Sequence, residues 1–328
     1  MQAQTLSSHS CATRDGEQAQ PWDCDLLVVG SGAGALSTAV TAAHLGLKVI
    51  VVEKDPHFGG TTAWSGGWMW IPRNPLALQG GIAEPIEKPL SYLRHELGEQ
   101  FDESRARMFL THGPRMVRFF QEHTALQFID GNSIPDFHGR TPDAVLGGRS
   151  VCAAPFDGRL LGPRIQQLKT PLLETTFLGM GIASGAEIRH FFNALRAWAS
   201  FWYVAKRVAR HLLDCVFHGR GMHLVNGNAL VAAMAKSAFD LGVEIRVNCP
   251  AVRLLTEKTS EGQTKVRGAV VLHQGSEISI RAKRGVMLAT GGFPHDADRK
   301  RQLLPHDPTG RSEEHTSELQ SHHDLVCR

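Results

Sequence analysis

The hydrophobic pattern is clearest near the start of the chain, where Leu26 to Val29 form an unbroken apolar run between Asp25 and Gly30. A short run of this kind predicts a buried parallel strand, because a strand covered on both faces shows no polar alternation. The pattern then predicts a helix from about Ala35 to Leu45 and a second strand from Lys48 to Val52. Strand, helix and strand in this order predict a β-α-β unit, and hence an α/β fold.

Helical spacing returns in the next part of the chain. Two helices are predicted at about 86–97 and 102–123, with a break in the second at Gly113-Pro114. The apolar positions of the second helix step at helical spacing, and we expect them to lie in the core. They are Met108, Phe109, Met116, Phe119 and Phe120.

A long amphipathic helix is predicted from Glu187 to Phe217, with an apolar stripe and a basic face. The stripe consists of Ile188, Phe191, Leu195, Trp198, Trp202, Ala205, Val208, Leu212 and Val216. The basic face consists of Arg189, Arg196, Lys206, Arg207 and Arg210. We interpret the stripe as core and the basic face as solvated. The alternative is that the basic face contacts an anionic membrane surface.

Residues 130–186 are rich in Gly and Pro, and an irregular segment of this length usually forms a lid or a binding wall. A helix is then predicted from an N-cap at Asn228 to Gly242. The remaining pattern predicts one strand, a three-stranded meander and a returning buried strand. These strands are placed at 243–247, at 251–255, 266–273 and 278–282, and at 285–290.

A glycine motif, Gly30-Ser31-Gly32-Ala33-Gly34-Ala35, lies between the first predicted strand and helix. The first glycine permits a tight turn, the second lets the backbone approach a pyrophosphate, and the small Ala35 lets the helix pack on the strand. Glu53 follows the second strand, where an acidic residue accepts hydrogen bonds from an adenosine ribose. Together these features predict a dinucleotide site, although they do not separate NAD from FAD. A β-α-β unit without a nucleotide is the alternative.

The second glycine-rich segment, Gly59 to Gly67, separates the two cofactors. Its small and hydroxylated residues can lie along a ribityl chain and a flavin ring, where bulky side chains would collide. The segments that carry a family resemblance are Gly30 to Ala35, Val52-Glu53-Lys54, Gly59 to Gly67 with Trp70-Ile71-Pro72, and Ala289-Thr290-Gly291-Gly292-Phe293. Together they resemble the fumarate reductase and 3-ketosteroid dehydrogenase family of FAD enzymes, and the Gly-Gly-Thr-Thr and Trp-x-Pro variants are more similar to the ketosteroid branch.

The resemblance implies a Rossmann-like FAD-binding domain, built from a parallel sheet and a β-meander, with FAD as the resident cofactor. It also implies that Ala251 meets the adenine. The cofactor-binding residues expected from the motifs and the resemblance are Gly30, Gly32, Gly34, Ala35, Glu53, Lys54, Gly60, Thr61, Thr62, Ser65, Gly66, Gly67, Ala251, Thr290, Gly291 and Gly292.

The resemblance implies less about catalysis. Phe137-His138 stand where the ketosteroid branch carries a Tyr pair ahead of Gly147-Gly148-Arg149-Ser150. Phe cannot exchange a proton, whereas imidazole does so near neutral pH, so His138 is the candidate acid or base. An ordinary surface histidine is the alternative.

Composition narrows the function classes. The net charge of +3 is too small to argue for nucleic acid. The six cysteines form no C-x-x-C pair, which argues against a zinc site or a disulfide framework and favours the cytoplasm. The seventeen histidines show no metal-ligand spacing, so we expect no metal. Residues 1–22 are expected to form a disordered leader, because their first twenty residues are polar.

The tail from Arg311 to Ser321 resembles the translation of a widely used sequencing-library adapter, so we interpret 311–328 as an artefact. The expected domains are an FAD-binding domain over 23–305, with 130–217 on its substrate side, and a stub of a substrate domain over 306–328. In the family that domain follows the Ala-Thr-Gly-Gly strand. Most of it is therefore expected to be missing, with the family's proton-abstracting tyrosine and carbonyl-polarising amides.

For the intact protein the resemblance implies removal of two vicinal hydrogens from a small apolar ketone, steroid-like, with an electron acceptor as the second partner. Reduction of a fumarate-like dicarboxylate is the alternative within the family. An alternative of another class is an inactive cofactor-binding fragment that exposes Phe137, Phe191 or Trp198 to water. The sequence leaves the oligomeric state open.

Overall fold

The computed structural model describes residues 21–183, 186–260, 262–293 and 296–303. Residues 1–20 of the predicted leader and the tail at 311–328 lie outside the described residues. The strands are β1 (Trp22–Val29), β2 (Val49–Val52), β3 (Trp68–Trp70), β4 (Phe128–Asp130), β5 (Ser150–Ala153), β6 (Phe156–Asp157), β7 (Thr176–Phe177), β8 (Met180–Gly181), β9 (His223–Leu224), β10 (Glu244–Arg246), β11 (Ala251–Lys258), β12 (Thr264–His273) and β13 (Ser276–Leu288). The helices are α1 (Ala33–His44), α2 (Pro75–Gln79), α3 (Glu87–Leu97), α4 (Glu103–His123), α5 (Ala186–Phe192), α6 (Trp198–His218), α7 (Asn226–Asp240) and α8 (Ala297–Leu303). Short 3₁₀ helices occupy Gly60–Trp64, Gly98–Gln100, Gly158–Gln167 and Leu173–Thr175.

A six-stranded sheet organises the fold, in the order β10-β2-β1-β13-β12-β11. The first four strands of this order run parallel, and β12 and β11 continue the sheet antiparallel. At its centre Leu27 of β1 lies opposite Ile50 of β2 and Val286 of β13. The arrangement confirms the predicted α/β class, with a parallel sheet extended by a β-meander.

The two faces of the sheet bury different sets of side chains, because successive residues of a strand point to opposite sides. Val28 and Val51 belong to the main core, which the helices α1 and α7 complete. Leu27 and Ile50 point the other way and pack with Ile280 of the meander. Full burial of each such side chain contributes about 1.5–3 kcal/mol relative to exposure.

The last strand differs from the prediction. The segments 278–282 and 285–290, predicted as separate strands, belong to the single strand β13. An extra residue between Ala282 and Gly285, opposite Cys24 to Leu26, lets the strand continue along β1 as a bulge. The predicted burial of its second half is also wrong, because Met287 and Leu288 are exposed.

The helix α4 confirms the predicted segment and corrects its core face. It runs through Pro114 without the predicted break and is capped by Asp102, whose side chain accepts from the Arg105 amide. Met108 and Phe109, predicted as core, are exposed. The buried face is rotated from the predicted one and consists of Ala106, Leu110, Gly113, Val117 and Phe120.

The predicted long helix at 187–217 is two helices, α5 and α6, and its apolar stripe faces outward. Leu195 is 96% exposed and Trp198 is 79% exposed, so the interpretation of the stripe as core is wrong. The buried residues of α6 are polar, namely Ser200, His211 and Asp214. Hydrophobic spacing identified the stripe correctly, but the body of the protein lies on the opposite side.

The helix α7 begins three residues earlier than predicted, with its N-cap at Val225. Asn228 is not its N-cap, because the helix starts at Asn226 and the Asn228 amide Nδ2 instead donates to the Lys169 carbonyl at 2.7 Å. The predicted end is confirmed. The helix stops at Asp240, and Gly242 follows with a φ of 76°, a left-handed conformation that favours glycine.

Candidate cofactor site

The parallel strands β1, β2 and β13 end at one edge of the sheet, and the predicted motifs meet there. Gly30 follows β1 with a φ of 104°, and its amide donates to the Val52 carbonyl at 2.8 Å. A Cβ at Gly30 would lie 2.2 Å from the carbonyl oxygen of Ala289, just beyond β13. Only glycine fits here, because both the turn and the close passage of the 289–290 backbone exclude a side chain.

The start of α1 points its free amides out of this edge. The helix has no side-chain cap at Gly32, and the amides of a first helical turn lack partners within their own helix. Open space surrounds the position of a Cβ at Gly34, whereas Ala35 is fully buried against the core. The positive end of a helix dipole and accessible backbone suit a pyrophosphate, so these residues fit the cofactor that the motif predicts.

Glu53 lies buried at the end of β2 and joins three segments. Its Oε2 accepts a hydrogen bond from the Ser31 hydroxyl at 2.5 Å, and its Oε1 accepts from the Asp55 amide at 3.0 Å. The Ser31 oxygen in turn accepts from the Gly59 amide at 2.9 Å. An ionised carboxylate offers about four acceptor sites, so Glu53 keeps capacity for ribose hydroxyls. Sequence reasoning missed Ser31, although a hydroxyl between two motif glycines was its visible signal.

The second glycine segment folds as a 3₁₀ turn, Gly60–Trp64, that packs on the first motif. The Thr62 hydroxyl oxygen accepts from the Ala33 amide at 3.0 Å. A Cβ at Gly60 would lie 3.5 Å from the Cα of Gly32, so the two glycine backbones are close neighbours. Thr61 is exposed beside them. The two motifs therefore form one continuous cradle.

The start of α7 braces the second segment from its other side. The Gly227 amide donates to the Ser65 carbonyl at 2.9 Å, and a Cβ at Gly227 would lie 1.9 Å from the Thr62 carbonyl oxygen. A Cβ at Gly67 would lie 2.5 Å from the carbonyl carbon of Asn226. This role of Asn226-Gly227 was not predicted, and only the Asn-Gly dipeptide itself could have indicated it. Gly66 stays exposed between these contacts.

Lys169 brings a positive charge to Asp55, two residues after Glu53. Its Nζ lies 2.9 Å from Asp55 Oδ2 and 4.1 Å from the centre of the Trp64 ring. Burial is the largest single influence and acts to raise the pKa of Asp55. The hydrogen bonds from Lys169 and the His57 amide, together with the charges of both residues, outweigh burial, so the pKa lies below its ordinary value. Lys169 was not predicted, because nothing local in the sequence links it to a position more than a hundred residues earlier.

A buried thiol supports the same segment from below. Cys152 pairs with Trp68 across β5 and β3, and its Sγ donates to the Gly66 carbonyl at 3.5 Å. Burial raises the pKa of Cys152 to about 12. The thiol is therefore uncharged at physiological pH and acts as a small apolar support rather than as a nucleophile.

The remaining predicted cofactor residues lie around this edge. The Cys249 amide donates to the Glu53 carbonyl at 2.8 Å, which places Ala251, the first residue of β11, two positions from that contact. Thr290, Gly291 and Gly292 follow β13 and are exposed, and Gly291 has a φ of 72°. Lys54 is exposed next to Glu53.

The predicted acid or base lies elsewhere in the described chain, beside α3. His138 is half-exposed, and its Nδ1 pairs with the Glu96 carboxylate, which the Thr141 hydroxyl also contacts. This pairing gives His138 a structural role at the surface, and its catalytic role stays a prediction.

A buried ion cluster holds the loop that carries His138. Arg149 is 1% exposed and contacts the carboxylates of Glu84 at 2.7 Å and Asp136 at 2.8 Å. Asp136 also accepts from the Trp70 indole at 2.7 Å. Between these fixed neighbours Phe137 is 97% exposed. The Gly-Gly-Arg-Ser segment is thus an anchor of the loop rather than a surface feature.

The described residues contain neither a metal-binding cluster nor a membrane-spanning helix. Within the described ranges no group of three or more His, Cys, Asp or Glu side chains is arranged to hold a metal ion. Among the helices of the same residues, none combines the length and the apolar character needed to cross a membrane.

Three features define a dinucleotide-binding α/β protein of the flavoprotein type. They are an anion site between a strand and a helix, an acidic residue at the end of the next strand, and a second glycine segment packed on the first. The family described as "FAD binding domain" matches residues 25–320, and the chain therefore belongs to this family, whose cofactor is FAD. The match runs past Gly310 to residue 320, into the segment interpreted as translated adapter. That interpretation stays a prediction.

Three similar proteins narrow the comparison. The chain is 36% identical to a 4-oxocyclohex-2-ene-1-carboxylate 5-dehydrogenase of Sinomonas cyclohexanicum over 88% of this chain and 48% of that protein. It is 33% identical to a 3-oxosteroid 1-dehydrogenase of Mycobacterium tuberculosis over 83% and 48%. A solved 3-ketosteroid delta1-dehydrogenase from Sterolibacterium denitrificans, in complex with 1,4-androstadiene-3,17-dione, superposes with a TM-score of 0.76 at 32% identity, over 85% and 50% of the two chains. The chain thus spans about half the length of the curated relatives it matches.

Proposed function

We propose that the complete protein is an FAD-dependent dehydrogenase that introduces a double bond next to the carbonyl of an apolar cyclic ketone, with a ketosteroid as the preferred substrate. The observation that carries the proposal is the braced cradle at the ends of β1, β2 and β13, where Ser31 and Thr62 join the two glycine segments. The similarity to a 4-oxocyclohex-2-ene-1-carboxylate dehydrogenase and a 3-oxosteroid dehydrogenase supports a cyclic ketone, and the second of these supports an apolar one.

The chemistry follows from the carbonyl. A ketone acidifies its α C–H bond, so a positioned base can remove that proton. Bound FAD supplies the acceptor for the β hydrogen, which leaves as hydride. The described residues hold and orient the cofactor, and their small side chains leave room where the flavin would lie.

In this proposal the residues at the strand ends bind different parts of the cofactor. The amides of Gly32, Gly34 and Ala35 hold the pyrophosphate, Glu53 accepts from the adenosine ribose, and Ala251 lies against the adenine. Residues Gly60 to Gly67 follow the ribityl chain and the flavin, and Thr290 to Gly292 pass beside them. Lys54 flanks the ribose. Residues 23–305 form this domain and 130–217 contribute to its substrate side. Residues 306–328 hold the stub of the substrate domain followed by the artefactual tail at 311–328.

The rigid mounting of Phe137 supports an apolar substrate over a dicarboxylate. Its neighbours Asp136 and His138 are held by Arg149 and Glu96, so the ring projects from a fixed backbone. An exposed aromatic side chain on a fixed backbone suits the wall of an apolar binding site better than a pocket for two carboxylates. A cytoplasmic location belongs to the same proposal, and the free thiols of Cys24, Cys152, Cys215 and Cys249 are compatible with it.

Turnover assays test the reaction. Protein from the complete reading frame is incubated with androstenedione and an artificial electron acceptor, with a 4-oxocyclohexanecarboxylate in parallel, and separately with fumarate and a reduced dye. We expect the acceptor to be reduced with the steroid. Turnover of fumarate alone would contradict the proposal. Turnover of the small cyclic ketone alone would contradict the steroid as substrate but would support the proposed reaction.

A second assay addresses the 328-residue chain, for which we propose cofactor binding without turnover. Phe137 and Trp198 are exposed as the fragment hypothesis expected, whereas Phe191 is half-buried and packs edge-on against Phe177. Exposed apolar groups of this kind favour aggregation. The two chain lengths are compared for solubility and for dye reduction with the steroid. Equal rates in both would contradict the proposal that the chain is an incomplete enzyme.

A further inference from the structure

The outward side of α6 is an apolar surface. Its exposed residues on this side, which we call the outer face, are Trp198, Phe201, Trp202, Leu213, Val216 and Phe217. Trp198 and Trp202 are four residues apart, and Leu213 and Val216 are three apart. The eleven residues from Trp202 to Leu213 make about three helical turns, so all four side chains lie on one side of the helix. A contiguous apolar surface with polar surroundings marks an interaction site more often than a chance exposure.

Polar contacts fix the orientation of α6. On the inward side, Asp214 pairs with Arg159 and accepts from the Met222 amide at 3.2 Å. The His211 Nε2 contacts the Leu178 carbonyl at 3.0 Å. Turning the helix to bury the outer face would break these contacts and leave the Asp214 carboxylate without its cation, which is strongly unfavourable. The outer face is therefore outward because the opposite side has specific partners.

The charge around the outer face has one sign. Arg189, Arg196, Lys206 and Arg210 are exposed, and none of them forms a salt bridge within the described residues. The acidic residues of α5 and α6 are Glu187 and Asp214, and both face cations of the protein: Glu187 lies 3.8 Å from Arg207, and Asp214 contacts Arg159. The exterior of the two helices is consequently cationic.

We propose that α5 and α6 form a docking surface for an anionic lipid bilayer, with α6 lying in the plane of the headgroups. An apolar stripe flanked by cations, with tryptophan among the apolar residues, matches the pattern of interfacial helices. Tryptophan favours the depth where acyl chains meet headgroups, and the lipid phosphates supply the counter-charge that the two helices lack. The core of a protein interface, by contrast, is depleted of lysine and unpaired charge.

Vesicle binding tests this surface without any substrate turnover, so its result is independent of the proposed reaction. The FAD-loaded protein from the complete reading frame is sedimented with phosphatidylcholine vesicles and with vesicles containing phosphatidylglycerol, at low and at physiological salt. We expect at least tenfold stronger partition to the anionic vesicles, weakened by salt, because each cation near such a surface adds attraction that a Debye atmosphere screens.

Charge reversal on the helix provides the specific test. The double variant Lys206→Glu with Arg210→Glu is expected to lose at least tenfold in partition to anionic vesicles. The matched control, Lys258→Glu with Lys265→Glu, makes the same charge change on the exposed meander strands and is expected to bind as the unaltered protein does. Equal losses in both variants, or no loss in the helix variant, would overturn the proposal.

Tryptophan fluorescence distinguishes lipid from other occupants. Brominated lipids should quench the emission of the bound protein, and Trp198→Phe with Trp202→Phe should remove that quenching while binding persists. If these two residues resist acrylamide quenching in the absence of vesicles, the surface is covered by protein and the proposal fails. A dimer that dissociates in the Trp198→Ala, Trp202→Ala variant would identify a second copy as the occupant, which also contradicts it.

Discussion

The cofactor edge and the region from 131 to 218 both contribute apolar residues to the core, but they differ in the polar groups that they bury. At the edge, apolar strands are buried and the functional groups are backbone amides, glycines and one carboxylate at strand ends. In the second region the interior contains Arg149, Asp136, His211 and Asp214, while Phe137, Leu195 and Trp198 face outward. Burial therefore follows the available partners as well as hydrophobicity, since each of these four polar side chains has an ion pair or a hydrogen bond.

The largest effect is expected at Arg149. Replacing Arg149 by Met should lower the free energy of unfolding by about 3–5 kcal/mol, because the buried carboxylates of Glu84 and Asp136 would lose their cation. The matched control is Arg94→Met, for which we expect a far smaller loss, because its pair with Glu103 is exposed and screened by solvent. Urea unfolding monitored by circular dichroism measures both. Similar losses in the two variants would show that the polar interior is not a source of stability.

A smaller loss is expected when the cofactor edge is overfilled. In Gly30→Ala the residue keeps a positive φ, and the added Cβ would lie 2.2 Å from the Ala289 carbonyl oxygen. The variant should lose about 3 kcal/mol in the free energy of unfolding, and it should also lose FAD binding. Gly46→Ala provides the control, because its φ is also positive but nothing lies within 4 Å of the added Cβ. There we expect about 1 kcal/mol and unchanged affinity for FAD. Thermal unfolding with and without FAD separates the two, and equal behaviour would contradict the close packing of β13 on the turn.

The inverted helix α6 allows a paired test on one element. Asp214→Leu should destabilise the protein by about 2 kcal/mol even though it adds an apolar residue, because Arg159 and the Met222 amide lose their acceptor. Trp202→Gln should change stability by less than about 0.5 kcal/mol, because the ring is exposed. Chemical unfolding of both variants decides. A large loss for Trp202→Gln and none for Asp214→Leu would mean that the stripe is core after all.

The comparison also explains what sequence could predict. The β-α-β unit was predicted closely because Gly30, Ala35 and Glu53 act through local order: a strand, a turn, a helix and the next strand end. The contacts between distant segments were not predicted, because a contact such as that of Thr62 with Gly227 joins residues far apart in the chain.

The error at α6 has the same origin. Helical spacing defines an apolar stripe but not the side on which the protein body lies. That side was decided by Arg159 and Leu178, which supply partners for Asp214 and His211. At α4 the pattern failed in a similar way, because Phe109 lies at the margin of the buried face and Met108 lies on the side of the helix away from it.

Equilibrium titration with FAD of the Glu53→Ala variant, in the protein from the complete reading frame, tests the central claim that the strand ends form the FAD cradle. Loss of the charged acceptor should cost about 1.5–3 kcal/mol, or roughly tenfold or more in affinity. Glu244→Ala removes the same charge at the opposite end of the neighbouring strand β10 and should leave the affinity unchanged. An unaltered protein that binds NAD in place of FAD, or a Glu53→Ala variant that binds FAD as tightly as the unaltered protein, would contradict the account.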